Sequence, residues 1–249
     1  MARKETGRPS VFWFMAGSCF ALLGLSVKFT VRNPERLPLT GAYVVAPNHY
    51  SEIDPVIVGM MLWQRGRQPR FLAKDSLFRV PVVGWFLRKS GQIPVHRAPR
   101  EVAKHESPLA AARQLVEKQQ IIVVYPEGSL TRDPGMWPMR GNPGAARIAL
   151  EQGIPVIPVA HWGAQELMAR YGKSIKLFPR HPIAFAIGEP VDLSKYAGKH
   201  IDARLLAEAT EDIMAAITAQ LETLRGEKAP AARWDPTARG QKEHGRFES

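Results

Sequence analysis

Residues 121–125, Ile-Ile-Val-Val-Tyr, are apolar β-formers at every position. A strand with one face in water alternates polar and apolar residues. A run that is apolar at both parities has to be covered on both faces. That demand points to a parallel sheet with helices above and below, an α/β fold. Two more runs fit the same sheet: residues 42–46 (AYVVA) and 154–160 (IPVIPVA), the second with prolines near its edges. Between and after them lie segments of helical length and period. Residues 56–63 suit a buried helix, and 107–120 place Leu109, Ala112, Leu115 and Val116 on one face. Residues 142–152 form a third helix stopped by Gly153, and 202–224 a long amphipathic one. Residues 175–178 and 182–187 are expected to pair antiparallel at a sheet edge.

With 249 residues the chain can bury one sizeable α/β core. Its net charge of +11 implies an anionic partner: nucleic acid, acidic lipid headgroups or a phosphorylated substrate. The single cysteine, Cys19, excludes an internal disulfide and any cysteine-rich metal site. There is no Walker A sequence, dinucleotide fingerprint, internal repeat or metal-ligand cluster, so no cofactor or metal is expected.

Residues 11–27 (VFWFMAGSCFALLGLSV) are uncharged, follow a basic stretch and stop at Lys28. The run is slightly short of the roughly 20 residues of a full span. No small-x-small cleavage site follows it, and a lipoprotein reading at Cys19 fails because the apolar run continues past it. A hydrophobic helix lying in one leaflet, with basic flanks on anionic lipid, is the expected form. The chain then divides into a membrane-associating segment (1–31), an α/β domain (32–225) and a polar tail (226–249).

Residues 65–100 carry nine basic residues against one acidic, Asp75. Among them stand apolar blocks: Phe71-Leu72, Leu77-Phe78 and residues 82–87. Basic residues among aliphatic blocks suit a membrane-facing surface or an acyl groove rimmed by cations. Nucleic-acid binding would favour isolated stacking aromatics, so no nucleic-acid partner is expected.

The chemistry concentrates in the turn Asn48-His49-Tyr50-Ser51-Glu52-Ile53-Asp54-Pro55, between a strand and a helix. Loops at strand ends are where α/β proteins place reactive groups. A neutral imidazole accepts a proton near pH 7, and a carboxylate on its other nitrogen fixes the tautomer and stabilises the imidazolium. His49 and Asp54 are the candidate base and partner. A structural alternative stands beside this: Asp54-Pro55 is also a good helix start, and His49 could be a core histidine. The strand at 121–125 leads into Pro126-Glu127-Gly128-Ser129-Leu130-Thr131-Arg132. There Gly128 allows close backbone approach, Ser129 and Thr131 offer hydroxyls and Arg132 offers a fork for phosphate. A plain Pro/Gly turn is the alternative.

Four segments occur in order: His49-x-x-x-x-Asp54; Gly91-Gln92-Ile93-Pro94-Val95-His96-Arg97; Tyr125-Pro126-Glu127-Gly128-Ser129; and Ile154-Pro155-Val156-Ile157-Pro158-Val159. Together they resemble the glycerolipid acyltransferase family, in particular the bacterial 1-acyl-sn-glycerol-3-phosphate acyltransferases of the PlsC type. The resemblance covers roughly residues 35–190, and the apolar N-terminus is similar to that family's membrane-dipping helices. It implies His49 as general base, Asp54 as its partner, and Arg97 with Glu127, Gly128, Ser129 and Arg132 around a glycerol phosphate. It implies an acyl thioester, acyl-CoA or acyl-ACP, as co-substrate. It also implies a monotopic protein in contact with membrane lipids at the cytoplasmic face of the plasma membrane. Where the family loop reads Glu-Gly-Thr-Arg-Ser, this chain keeps a hydroxyl at Ser129 but has Leu130 at the arginine position, with Arg132 two residues on.

The expected reaction is acyl transfer to 1-acylglycerol 3-phosphate without an acyl-enzyme. Glycerol 3-phosphate or another lysophospholipid is the alternative acceptor. A reading of another class is a non-catalytic basic protein that binds membrane or nucleic acid, in which His49 and Asp54 only support the fold.

Overall fold

The computed structural model describes residues 17, 18, 20, 21, 23–95 and 108–241. Its centre is a five-stranded sheet in the order β1-β7-β6-β2-β5. The strands are β1 (Val27–Arg32), β2 (Val44–Pro47), β5 (Ile122–Val123), β6 (Val156–Trp162) and β7 (His181–Ile187). Strands β3 (Leu72–Lys74) and β4 (Ile93–Val95) form a separate parallel pair. A parallel bridge from Phe71 to Val123 joins that pair to the β5 edge. All pairings in the main sheet are parallel except β6 with β7.

Apolar residues at both parities produce two cores. Val45, Val123, Ile157 and Val159 point into one layer, against Ile57, Val58 and Met61 of helix α1 (Asp54–Gln64). Val44, Ala46, Ile122 and Val156 point into the other. There they meet helix α4 (Pro108–Glu117), helix α5 (Gly144–Gln152) and helix α7 (Ala203–Arg225). Each fully buried aliphatic side chain in these layers contributes about 1.5–3 kcal/mol of transfer free energy.

Local signals explain the ends of these helices. Asp202 caps α7 by accepting from the Leu205 amide at 2.8 Å, and Gly226 ends it at φ 71°. Gly153 ends α5 at φ 63°. Two short helices, α2 (Asp75–Phe78) and α3 (Pro81–Lys89), form a hairpin over the β3–β4 pair. Gly84 makes that hairpin possible, because a Cβ there would lie 2.0 Å from the Phe78 carbonyl oxygen. Helix α6 (Ala164–Leu167) follows β6 directly.

Two expectations are corrected. Residues 175–178 are not a strand, and β7 pairs with β6 on one side and parallel to β1 on the other. Val27–Arg32, placed in or beside the membrane-associating segment, is β1 of the sheet. Its buried and exposed residues alternate behind a long apolar run that hid the change of period. The apolar block Phe71-Leu72 leads into β3 at Leu72. The polar tail packs on the domain as far as it is described: the Arg140 amide donates to the Trp234 carbonyl, and the Ala229 amide to Glu222 Oε1. The rest of the N-terminal apolar run, Arg97 and residues 242–249 lie outside the described residues. Among the described residues no helix is long and apolar enough to cross a membrane.

Candidate active site

Strands β2, β5 and β6 run parallel, so their carboxyl ends share one edge. The chain leaves β2 at Pro47 and turns into α1 through residues 48–53. It later returns to pair with β2 from both sides, which puts the β2 end at a topological switch point of the sheet.

In the turn, His49 Nδ1 lies 3.0 Å from Asp54 Oδ2. The same oxygen accepts the amides of Tyr50 at 2.7 Å and Ser51 at 2.8 Å. Asp54 therefore points back into the turn, and no side-chain cap holds the start of α1. Its carboxylate is fully buried, while the His49 side chain keeps 16% of its exposure. The His49 ring stacks on Tyr125 with centroids 4.2 Å apart, and Tyr125 stacks in turn near Phe71 at 6.3 Å. With Nδ1 engaged, Nε2 makes no hydrogen bond to a described residue and is the nitrogen left for a substrate. A ring oriented by its carboxylate, fixed in one tautomer and open at its other nitrogen, is built for proton transfer.

The loop after β5 is fastened to this turn. Glu127 Oε1 accepts the His49 amide at 2.8 Å and Glu127 Oε2 the Met139 amide at 3.0 Å. The Thr131 amide donates to the His49 carbonyl at 2.7 Å. Both Glu127 oxygens are thus occupied inside the protein. The geometry makes Glu127 a brace for His49. Burial pushes its carboxyl up to about 8, against the opposing pull of the Met139 and His49 amides. Gly128 turns at φ 68°, and its amide donates to the Tyr125 carbonyl at 3.0 Å. That bond removes the Gly128 amide as a donor to a tetrahedral oxyanion. Ser129 is half-buried beside it, while Leu130 and Arg132 are buried. Arg170 donates to the carbonyls of Thr131 and Asp133 at 3.0 and 2.6 Å. Arg225, wedged 4.0 Å over Trp137 and 4.3 Å over Trp162, donates to the Gly135 carbonyl. These contacts lock the loop onto α7 and the end of β6.

Ser51, the aliphatic hydroxyl between His49 and Asp54 in sequence, is fully buried. Its Oγ donates to the Met168 carbonyl at 2.6 Å, so it is no nucleophile. Arg67 and Arg70, counted among the cations of a surface, are buried. They donate to the carbonyls of Gly41, Gln119 and Pro38, and of Gln68.

Sequence reasoning gave no role to Asn48, Tyr50 or His161. All three are buried and bonded to one another around Asp54. The available signal was a histidine at the carboxyl end of an otherwise apolar strand, one residue beyond the expected end at Ala160.

A model of the acyltransferase family matches residues 28–162. The 1-acyl-sn-glycerol-3-phosphate acyltransferase of Bacillus subtilis is 27% identical over 79% of this chain and 90% of its own length. The protein of the same name from Haemophilus influenzae is 27% identical over 84% of this chain and 80% of its own. A chloroplastic relative of that name from Brassica napus is 29% identical over 57% of this chain, which spans only 39% of the relative's length. The fold is similar to the crystal structure of the 1-acyl-sn-glycerophosphate acyltransferase PlsC from Thermotoga maritima. The TM-score is 0.59 at 23% identity, covering 88% of this chain and 78% of that one. The family match runs over more than half of the 249 residues and takes in His49, Asp54 and the loop that braces them, so this chain belongs to the acyltransferase family.

Proposed function

We propose that this protein transfers an acyl group from acyl-CoA or acyl-ACP to the free hydroxyl of 1-acylglycerol 3-phosphate, forming phosphatidic acid. The observation that carries the reading is the His49–Asp54 pair at 3.0 Å, on the carboxyl edge of the sheet of an acyltransferase-family chain. The acceptor is argued from the names of relatives that align with most of this chain.

The acceptor hydroxyl oxygen bonds to the thioester carbonyl carbon while its proton passes to His49 Nε2. Asp54, held by two backbone amides, stabilises the imidazolium. The tetrahedral intermediate collapses with cleavage of the carbon–sulfur bond, and the proton passes from Nε2 to the departing sulfur. Free thiol and ester result, with no acyl-enzyme. Arg132 and Ser129, with Gly128 shaping the turn and Arg97 completing the set, are assigned to the acceptor phosphate, which converts an encounter into an oriented complex.

An acceptor with an acyl chain lives in a membrane, and exposed apolar residues support contact with one. Leu25 is 66% and Phe178 75% exposed, and Arg180 links their segments by donating to the Val27 and Gly24 carbonyls. With the apolar N-terminal run, these residues fit a monotopic placement on the cytoplasmic face of the plasma membrane.

The test is a competition with one labelled acyl-CoA offered to glycerol 3-phosphate, lysophosphatidate and a lysolipid without a terminal phosphate. Lysophosphatidate should be acylated fastest. Faster product from glycerol 3-phosphate would move the protein to the first acylation step. A preference for the phosphate-free lysolipid would overturn the phosphate assignment.

A further inference from the structure

We propose that His161 is a positioning residue for the His49–Asp54 pair. It holds both chain neighbours of His49, and its ring lies along the Asp54 oxygen that His49 does not use. The inference rests on His49 acting as the base.

The contacts bracket His49. The His161 amide donates to Asn48 Oδ1 at 2.9 Å, and Asn48 Nδ2 donates to the His161 carbonyl at 3.1 Å. His161 Nε2 lies 3.1 Å from the Asn48 carbonyl, and His161 Nδ1 lies 3.0 Å from the Tyr50 hydroxyl. Four hydrogen bonds thus join one residue of β6 to the residues immediately before and after His49. The side chain of His161 is fully buried, and its Nε2 stands 3.9 Å from Asp54 Oδ1. That carboxylate oxygen has no hydrogen-bond partner among the described residues.

The bonds determine the state of the ring. The Asn48 carbonyl can only accept, so Nε2 carries the hydrogen. Nδ1 is then an acceptor, and the Tyr50 hydroxyl donates to it while accepting the Ala164 amide at 3.3 Å. A second proton on Nδ1 would face that hydroxyl with two donors and leave its own hydrogen without an acceptor. Burial favours the neutral ring too, and outweighs the opposing charge of Asp54. The charged and titratable groups around it are Asp54 at the start of α1, Tyr50 and His49 in the turn, and Arg225 of α7 stacked over Trp162. Phe185 of β7 closes the remaining side. A neutral His161 fixes the turn without taking the charge of Asp54 away from His49.

The test compares His161→Leu, His161→Gln and Tyr50→Phe by acyl-CoA thiol release with lysophosphatidate, across pH. His161→Leu removes both ring bonds and should lower kcat on the order of 10–100-fold, the cost of a reacting group displaced by about an ångström. Acceptor KM should stay within about threefold on the same argument, since no phosphate contact is touched. The acid limb of the kcat/KM profile should move to lower pH, because His49 loses part of the hold that stabilises its imidazolium. His161→Gln keeps the donor to the Asn48 carbonyl and should recover most of kcat. Tyr50→Phe removes one hydroxyl with the ring retained, and carries the same pH test if the leucine variant does not fold. Loss of soluble protein or melting temperature with an unmoved acid limb in the folded variants would mean packing alone and overturn the proposal. So would wild-type kcat in His161→Leu. His49→Ala run alongside separates the two readings: if it is inactive while His161→Leu is wild-type, only the positioning role is lost, whereas an active His49→Ala removes the base itself.

Discussion

The carboxyl edge of the sheet and the α2–α3 hairpin invert each other. At the edge, polar groups are inside: Asn48, Ser51, Asp54, Glu127, Thr131 and His161 are all buried. On the hairpin, apolar groups are outside: Leu77 is 45%, Val82 74% and Trp85 45% exposed. The basic residues of the hairpin stay at its surface, where Arg79 pairs with Asp75. Burying polar groups is tolerable only when each finds a partner, so the edge is held rigidly by hydrogen bonds. Exposing apolar groups is tolerated where another surface covers them. The edge has the rigidity of a reaction site and the hairpin the composition of a surface that meets lipid.

That contrast breaks or sharpens by substitution. The largest effect should come from Asp54→Asn. It removes the charge behind His49 and offers the wrong tautomer partner, as in a serine-protease triad, where the same change costs about 10⁴ in kcat. A drop of less than tenfold in thiol release would mean that the buried carboxylate serves the fold and not the chemistry. Arg132→Ala should raise acceptor KM roughly 10–100-fold, the worth of a charged hydrogen bond, and leave donor KM nearly unchanged. If donor KM moves instead, Arg132 belongs to the phosphates of coenzyme A.

Glu127→Gln tests the brace through stability. The Glu127 carboxyl is raised from its ordinary 4.5 to about 8 by burial. Between those values the folded protein holds a proton that the unfolded chain releases, so its contribution is full at low pH and is lost as pH rises through about 8. The wild type should therefore lose melting temperature across that window more steeply than Glu127→Gln. At low pH the variant should be less stable by about 1–3 kcal/mol, because one backbone amide loses its acceptor, and that deficit should shrink as pH rises through about 8. Parallel curves would place the Glu127 proton elsewhere. The smallest effect on stability belongs to the hairpin. Val82→Ser with Trp85→Ser should shift unfolding free energy by no more than about 0.5 kcal/mol each. Binding to anionic vesicles should fall roughly tenfold, read by co-sedimentation. A marked loss of melting temperature would show that the hairpin's apolar face is part of the core.

The same contrast explains what could be read from the sequence. The doubly buried strands β2, β5 and β6 were legible because their apolar runs have no solvent face. Helix α7 was legible because its apolar residues recur at helical spacing, and Leu206, Ile213, Ile217 and Leu221 form its buried face. Strand β1 was hidden because its alternation begins inside the apolar run at Val27. The pair His49 and Asp54 could be named from one short turn. His161 and Glu127 act through long-range pairing, across 113 and 78 positions from Asn48 and His49. No local pattern reports such a contact. Arg67 and Arg70 were counted among the surface cations because charge in a sequence does not reveal burial, and both are inside on backbone carbonyls.

The most direct measurement is lysophosphatidate-dependent release of free thiol from acyl-CoA by the folded wild-type protein and by His49→Ala. The wild type should release thiol in step with phosphatidic acid formed, and His49→Ala, folded to the same melting temperature, should release none above background. Thiol release by His49→Ala at more than a tenth of the wild-type rate would contradict the assignment of His49 as the base that deprotonates the acceptor.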